Sequence, residues 1–213
     1  MSKRLKAIEN YIFDGSILVD VGTDHGFLMI DALINKGVKH AYGIDINENP
    51  LLACQSNVDA AGLNDQVTLI LGDGLKDFNE EADVFVLAGM GGETIYKILA
   101  DYSFIEGQRI IIQANSKHIE LREALVSQGL AIIAEEFFFE KEIPILIMVA
   151  EVGTADYTDV DFVVDPQLKT QSNREYEAFL NVRLAQLEAI KNYSERLKRE
   201  YDTIKQYLQG GVV

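Results

Sequence analysis

The chain has 213 residues, enough for one well-buried core and a smaller appendage. At 48% hydrophobic and 25% charged residues it has the make-up of a folded globular protein, and no apolar run approaches the roughly 20 residues that would span a bilayer. The net charge of -15 argues against a broadly phosphate-binding surface, and the single cysteine, Cys54, excludes an intrachain disulfide and a cysteine-built metal centre.

The basic start, Met1 to Lys6, runs into Glu9 and Asn10 and not into an apolar segment, so a signal peptide is not expected; a reducing, cytoplasmic setting is. Leu5, Ile8 and Ile12 stand at helical spacing and predict a short amphipathic helix over residues 2–11. After the Asp14-Gly15 turn, Ile17–Val21 is a β-branched, apolar run ending beside a carboxylate, which predicts a buried parallel strand. Helices are predicted over residues 27–36 and 50–61, stopped by Gly37 and Gly62, and a second strand over 41–46 lies between them. Strands follow over 67–71, 83–88 and 109–113, with helices over 93–100 and 118–128. Residues 130–140 and 143–152, joined by a short connection, predict an antiparallel hairpin.

Five strands alternating with helices and closed by a hairpin predict an α/β fold: a Rossmann-like, mostly parallel sheet with a C-terminal antiparallel pair. Residues 153–172 read as a linker. Beyond Asn173, residues Tyr176, Leu180, Arg183, Leu187, Ile190, Ser194, Leu197, Tyr201, Ile204 and Leu208 step by threes and fours. That is a coiled-coil-like seam with polar interruptions at Arg183 and Ser194, either one long helix or a hairpin bent near Asn192-Tyr193-Ser194. The division expected is a ligand-binding domain over 1–155 and a linker with a helical tail over 156–213.

Charge follows the same division. Residues 1–168 carry 11 Lys and Arg against 28 Asp and Glu, whereas residues 169–213 carry 8 against 6. A nucleic acid, if bound, is expected to touch the tail and the N-terminal cluster Lys3, Arg4 and Lys6.

In such sheets ligands lie beyond the carboxyl ends of the strands, where the loops are informative. The first, Asp20-Val21-Gly22-Thr23-Asp24-His25-Gly26, lacks the glycine spacing of a dinucleotide site, and its carboxylates would repel a pyrophosphate. They suit a cation, and S-adenosylmethionine, with an ammonium and a sulfonium, matches Asp20, Gly22, Thr23, His25 and Gly26. Asp45, with Ile46 and Asn47 after it, can accept both ribose hydroxyls of a nucleoside. Gly72-Asp73-Gly74 can meet the exocyclic amine and ring of an adenine. Ala88-Gly89-Met90-Gly91-Gly92 lacks a P-loop lysine, and Glu93 opposes an anion, so it is expected to wall a transfer pocket, with Gly91 toward the acceptor. Gln113-Ala114-Asn115-Ser116 offers amides to an acceptor base. His25, His40 and His118 form no ligand set, so no metal is expected; His40 and His118 read as surface or capping residues and Cys54 as a small core residue.

Together, Ser2-Lys3-Arg4-Leu5, the Asp20–His25 loop, Gly72-Asp73-Gly74-Leu75, Ala88-Gly89-Met90-Gly91-Gly92, and His118 with Arg122 resemble the bacterial tRNA (adenine-22-N1)-methyltransferases. The resemblance implies a class I methyltransferase core with a C-terminal coiled-coil domain, S-adenosylmethionine as methyl donor and tRNA as partner. On that basis Lys3, Arg4, Gly91 and Arg122 are expected to contact substrate, Asn115 to position the base and Asp24 to stabilise positive charge developing on it. The chain departs from the family at Gln113-Ala114-Asn115, where the middle residue is usually Pro, at Met29, at Asp165-Pro166 and in a shorter tail. Rival readings are a methyltransferase acting on a small molecule or protein, a cofactor-binding RNA-interaction protein without turnover and, more distantly, a nicotinamide oxidoreductase.

Overall fold

The structure, a computed structural model, describes residues 2–171 and 173–210. Seven strands form one sheet: β1 (Ile17–Val21), β2 (His40–Asp45), β3 (Val67–Leu71), β4 (Val84–Met90), β5 (Arg109–Ala114), β6 (Leu130–Glu140) and β7 (Ile143–Val152), in the order β3-β2-β1-β4-β5-β7-β6. The first five run parallel, and β7 lies antiparallel to both β5 and β6. The spatial order reverses its direction at β1, and the crevice at such a switch point is where this architecture takes ligands.

Alternation along the strands divides the core. Val19, Val21, Phe85, Leu87, Ile110 and Ile112 face one side with Ile95 and Leu99 of helix α4 (Gly92–Ala100) and Leu121 and Leu125 of α5 (His118–Ser127). Leu18, Val84, Val86 and Ile111 face the other side with α1 (Lys3–Glu9), α2 (Phe27–Asn35) and α3 (Glu48–Ala61). Cys54 on α3 and Met29 on α2 are fully buried there. α1 is shorter than its apolar spacing predicts: Ser2 caps its start, the Leu5 amide donating to Ser2 Oγ at 3.2 Å, and its end tightens into three-residue turns, the Tyr11 amide donating to Ile8 O and the Ile12 amide to Glu9 O, each at 3.1 Å.

β4 outruns its predicted end. Ala88 pairs with Gln113 and Met90 with Ala114, which leaves Gly89 as the extra residue of a bulge at φ +82. Only glycine adopts that backbone without strain, so what reads as loop onset is a kinked strand end.

The stretch expected as linker contains helix α6 (Asp159–Val163), started by a capping box between Thr158 and Asp161. The tail is a hairpin: α7 (Arg174–Glu188) is capped by Asn173 and α8 (Glu195–Leu208) by Ser194, so the chain breaks at the second polar interruption of the seam. The first interruption is paired, with Arg183 Nε 2.6 Å and Nη2 2.9 Å from the Glu200 carboxylate. Tyr176, Leu180, Leu187 and Ile204 of the hairpin join the core cluster that includes Phe137 and Leu146 of the sheet, so the tail is seated on β6 and β7. The division expected at 155/156 falls between β7 and α6; the extremes of its two ranges, Met1 and 211–213, and Ser172 in the linker lie outside the described residues. Among the described residues no helix is long and apolar enough to cross a membrane.

Candidate active site

Backbone bonds draw the strand-tip loops together. The amides of Gly22 and Thr23, after β1, donate to Ile44 O on β2, and the Gly72 amide, after β3, donates to Asp45 O. Asp20, Asp45 and Asp73 thus stand in a row along one rim. Beside them opens a cavity of about 650 Å³ lined by Asp20, Gly22, Asp24, His25, Gly26 and Ala88, with Arg4 and Leu5 of α1 and Phe27, Ile30 and Ile34 of α2 on its outer side. Asp45, Ile46 and Asn47 and the Gly72-Asp73-Gly74 turn continue the rim beyond that lining.

Asp20 is 8% exposed. Burial pushes its carboxyl up from the ordinary 3.8 to about 6; Thr23 and the Arg4 guanidinium pull it down, and Asp45 adds to the rise. A buried carboxylate short of compensation, facing a cavity, favours a cationic ligand. Gly22 is the close approach in the wall: it holds φ +78, and a Cβ there would stand 2.5 Å from Met90 Cε. Asp45 Oδ1 accepts from the Asn47 amide at 2.8 Å, which holds its side chain at the tip of β2. Asp24 is exposed, with Oδ2 3.6 Å from His25 Nε2, and the His25 and Phe27 rings lie 5.4 Å apart at the mouth. Lys3 lies over the Phe138 ring at 4.2 Å.

The bulge organises the neighbouring loop. Gly89 O accepts from Asn115 Nδ2 at 2.7 Å, and Met90 O accepts from the Asn115 amide at 2.8 Å. Gln113, expected among the amides offered to a base, is turned inward and 1% exposed. Its Oε1 accepts from Arg4 Nη1 at 2.9 Å, and its Nε2 donates to Ala114 O and Asn115 Oδ1, each at 3.1 Å. Gly91 caps α4, whose first turn carries Glu93 in ion pairs with Lys97 and Lys117. His118 Nε2 lies 2.9 Å from Ala114 O, and burial lowers its pKa. His40 Nε2 lies 3.0 Å from Thr68 Oγ1, away from the cavity.

Arg122, expected to contact substrate, is buried in ion pairs. It is 1% exposed: Nε donates to Glu135 Oε1 and Nη1 to Phe162 O, each at 3.1 Å, and Nη2 meets the Asp165 carboxylate. A guanidinium so enclosed clamps α5, β6 and the segment leading to the tail, and it lines a cavity with Asn115 and His118. Glu135 and Asp165, its partners, are distant in sequence, so nothing local distinguishes Arg122 from a surface cation. Leu5, Ile30 and Ile34 of the outer wall carry no signal of this role in the sequence: Leu5 reads as part of a short amphipathic helix, and Ile30 and Ile34 fall in a stretch read only as a helix over 27–36. Among the described residues no group of three or more His, Cys, Asp or Glu side chains is placed to hold a metal ion.

Residues 1–148 match the family described as methyltransferase domain. The tRNA (adenine(22)-N(1))-methyltransferase of Bacillus subtilis is 31% identical over 212 residues, covering 95% of this chain and 88% of that protein. Among solved structures, Streptococcus pneumoniae Sp1610 in complex with S-adenosyl-L-methionine superposes with a TM-score of 0.89 at 29% identity, covering 98% of this chain and 99% of that one. M. capricolum TrmK in complex with S-adenosyl-homocysteine gives 0.86 at 25%, over 98% of each chain.

Proposed function

The chain belongs to the tRNA (adenine-22-N1)-methyltransferase family, and from that premise we propose that it transfers a methyl group from S-adenosylmethionine to N1 of adenine 22 in tRNA. The observation that carries this reading is the acidic, glycine-walled cavity at the switch point, centred on the buried Asp20. Its donor set fits the cofactor: Asp20 would face the cationic amino acid part, Asp45 the ribose and Asp73 the adenine, with Gly22 and Gly89 forming a wall without side chains. When bound, the cofactor supplies an electrophilic methyl group.

The acceptor determines what the protein must do. Adenine N1 already carries a lone pair, so no base is needed to create the nucleophile; alignment and exclusion of water are. On taking the methyl group at N1, with the sulfur keeping the electron pair of the bond it gives up, the ring would become cationic without moving a proton, so this chain's residues would have to stabilise a positive charge. Asp24 would stabilise that charge, a reading supported by its position in the cavity lining. N1 lies on the pairing edge, so the base must leave its pair or stack, and the exposed Phe27 beside His25 offers a surface for it. The tRNA backbone would be held by Lys3 and Arg4 and by the tail. Arg196 and Arg199 on α8 pair with Glu120 and Glu123 at the surface, where such pairs are weak enough to exchange for phosphate.

The test is incubation of unmodified tRNA transcripts with labelled S-adenosylmethionine, followed by mass mapping of the nucleoside formed. The expected product is 1-methyladenosine at position 22. Methylation of a metabolite or protein pool in its place, or cofactor binding without transfer to any transcript, overturns the proposal.

A further inference from the structure

We propose that Arg4 is a positioning residue: through Gln113 it orients the Asn115 amide so that Asn115 Oδ1 is the acceptor for the exocyclic amine of the target adenine. This rests on the tRNA-adenine reading above and deepens it.

Arg4 is held at both ends of its reach. Its backbone amide donates to Glu140 Oε1 at 3.2 Å, and its Nη1 donates to Gln113 Oε1 at 2.9 Å. A guanidinium can only donate, so Gln113 must turn its oxygen to Arg4 and its NH2 away. That NH2 meets two oxygens, Ala114 O and Asn115 Oδ1, each at 3.1 Å. Asn115 Oδ1 therefore faces Gln113, and Asn115 Nδ2 is left to donate to Gly89 O, the bulge carbonyl, at 2.7 Å. Reversing either amide would set donor against donor at one end and oxygen against oxygen at the other. The polarity of the chain thus runs outward from a permanently charged group across three elements: α1, β5 and the β4 bulge.

The orientation has a chemical consequence. Gln113 uses one lone pair of Asn115 Oδ1, and the second remains on a side chain exposed at the tip of β5. In adenine the 6-amino group, a donor, adjoins N1, the nucleophile. An oxygen at this place reads the amine and leaves the N1 lone pair available. An amide reversed there would offer N–H to N1 and occupy the electrons that must attack.

The experiment compares transcripts carrying adenine at the target position with transcripts carrying purine ribonucleoside, which keeps N1 and lacks the amine. kcat and KM are measured on both for the unchanged protein and for Arg4→Met, Arg4→Lys and Gln113→Glu. The difference in intrinsic N1 reactivity is common to all four proteins, so the adenine-to-purine ratio of kcat/KM isolates the amine contact. Arg4→Met is expected to lower that ratio about tenfold, chiefly through kcat; because Arg4 also lines the cofactor cavity, S-adenosylmethionine affinity is measured alongside, and a change there acts on both transcripts alike and leaves the ratio unmoved. Arg4→Lys, still a donor, restores part of the ratio. Gln113→Glu keeps an acceptor for Arg4 but cannot donate to Asn115 and loses the ratio as Arg4→Met does, so the test survives if one variant folds poorly. An unchanged ratio in Arg4→Met with KM raised equally for both transcripts would mean that Arg4 only holds phosphate, and overturns the inference while sparing the tRNA reading. Absence of methylation of the adenine transcript by the unchanged protein overturns both.

Discussion

Replacing Asp20 by Asn is expected to stabilise the ligand-free protein and to cripple its hold on the methyl donor. The folded-state carboxyl titrates at about 6 against an ordinary 3.8, because burial disfavours the charge. Between those two values the folded protein keeps a proton that the unfolded chain has lost, so stability falls as pH rises through that window and the loss is complete above about pH 7. The interval corresponds to about 3 kcal/mol. Asn has the same outline and no charge, so the advantage of the variant should be near zero at about pH 4 and grow by about 1.4 kcal/mol per pH unit before levelling off. With an allowance for an amide that must find its own partners, a gain of about 1–3 kcal/mol at neutral pH is expected, several degrees in Tm for a chain of this size. Urea unfolding of both proteins without ligand at about pH 5 and pH 7.5 measures it, and titration with S-adenosylmethionine under the same conditions measures the functional cost. In the unchanged protein the affinity should weaken as pH drops below about 6; in the variant it should be low and flat. A variant no more stable at pH 7.5, or equally more stable at both pH values, would refute the reasoning, because neither result can come from an ionised buried carboxylate.

Arg122→Met should cost about 3–5 kcal/mol in urea unfolding, because it strands Glu135 and Asp165 without their buried counter-charge; a loss below about 1 kcal/mol would show that the clamp is not needed. Asp24→Ala is expected to abolish methyl transfer to tRNA while leaving measurable cofactor affinity, and undiminished turnover would remove Asp24 from the mechanism. Lys141 and Glu142 turn the β6–β7 hairpin with φ of 49 and 66, both in the left-handed region. Replacing the pair by Asn-Gly should raise stability by about 0.5–2 kcal/mol, and a neutral or negative change in thermal unfolding would show that neighbouring contacts already compensate.

The sheet was legible because its signals are local. The runs of β1, β3, β6 and β7 are bounded by glycine, charge or turn residues, and their predicted limits coincide with the observed ones. β4 ran on because a glycine in sequence reads as a stop, whereas a bulge glycine lies inside a ladder and depends on what β5 pairs with. The five-residue α6 was too short for periodicity, though Thr158-x-x-Asp161 carries a capping-box signature that could have found it. In the site, residue types and their order along the rim could be read, because each loop follows its own strand. The Arg4–Gln113 contact spans 109 residues, and the Arg122 clamp reaches from α5 across to the tail, so neither leaves a local trace. Arg183 read as a flaw in the seam, and its partner Glu200 lies on the opposing helix, so the pair exists only once the hairpin has formed.

The seating of the tail on β6 and β7 makes the protein a calliper. Its hairpin shares apolar packing with the sheet, and Arg122 ties α5 and β6 to the segment that leads into it, which sets the span from the helical jaw to the strand-tip pocket. On the proposal that the tail holds tRNA, the nucleotide presented would be the one lying one such span away, and the bending needed to bring the base across would come from the RNA.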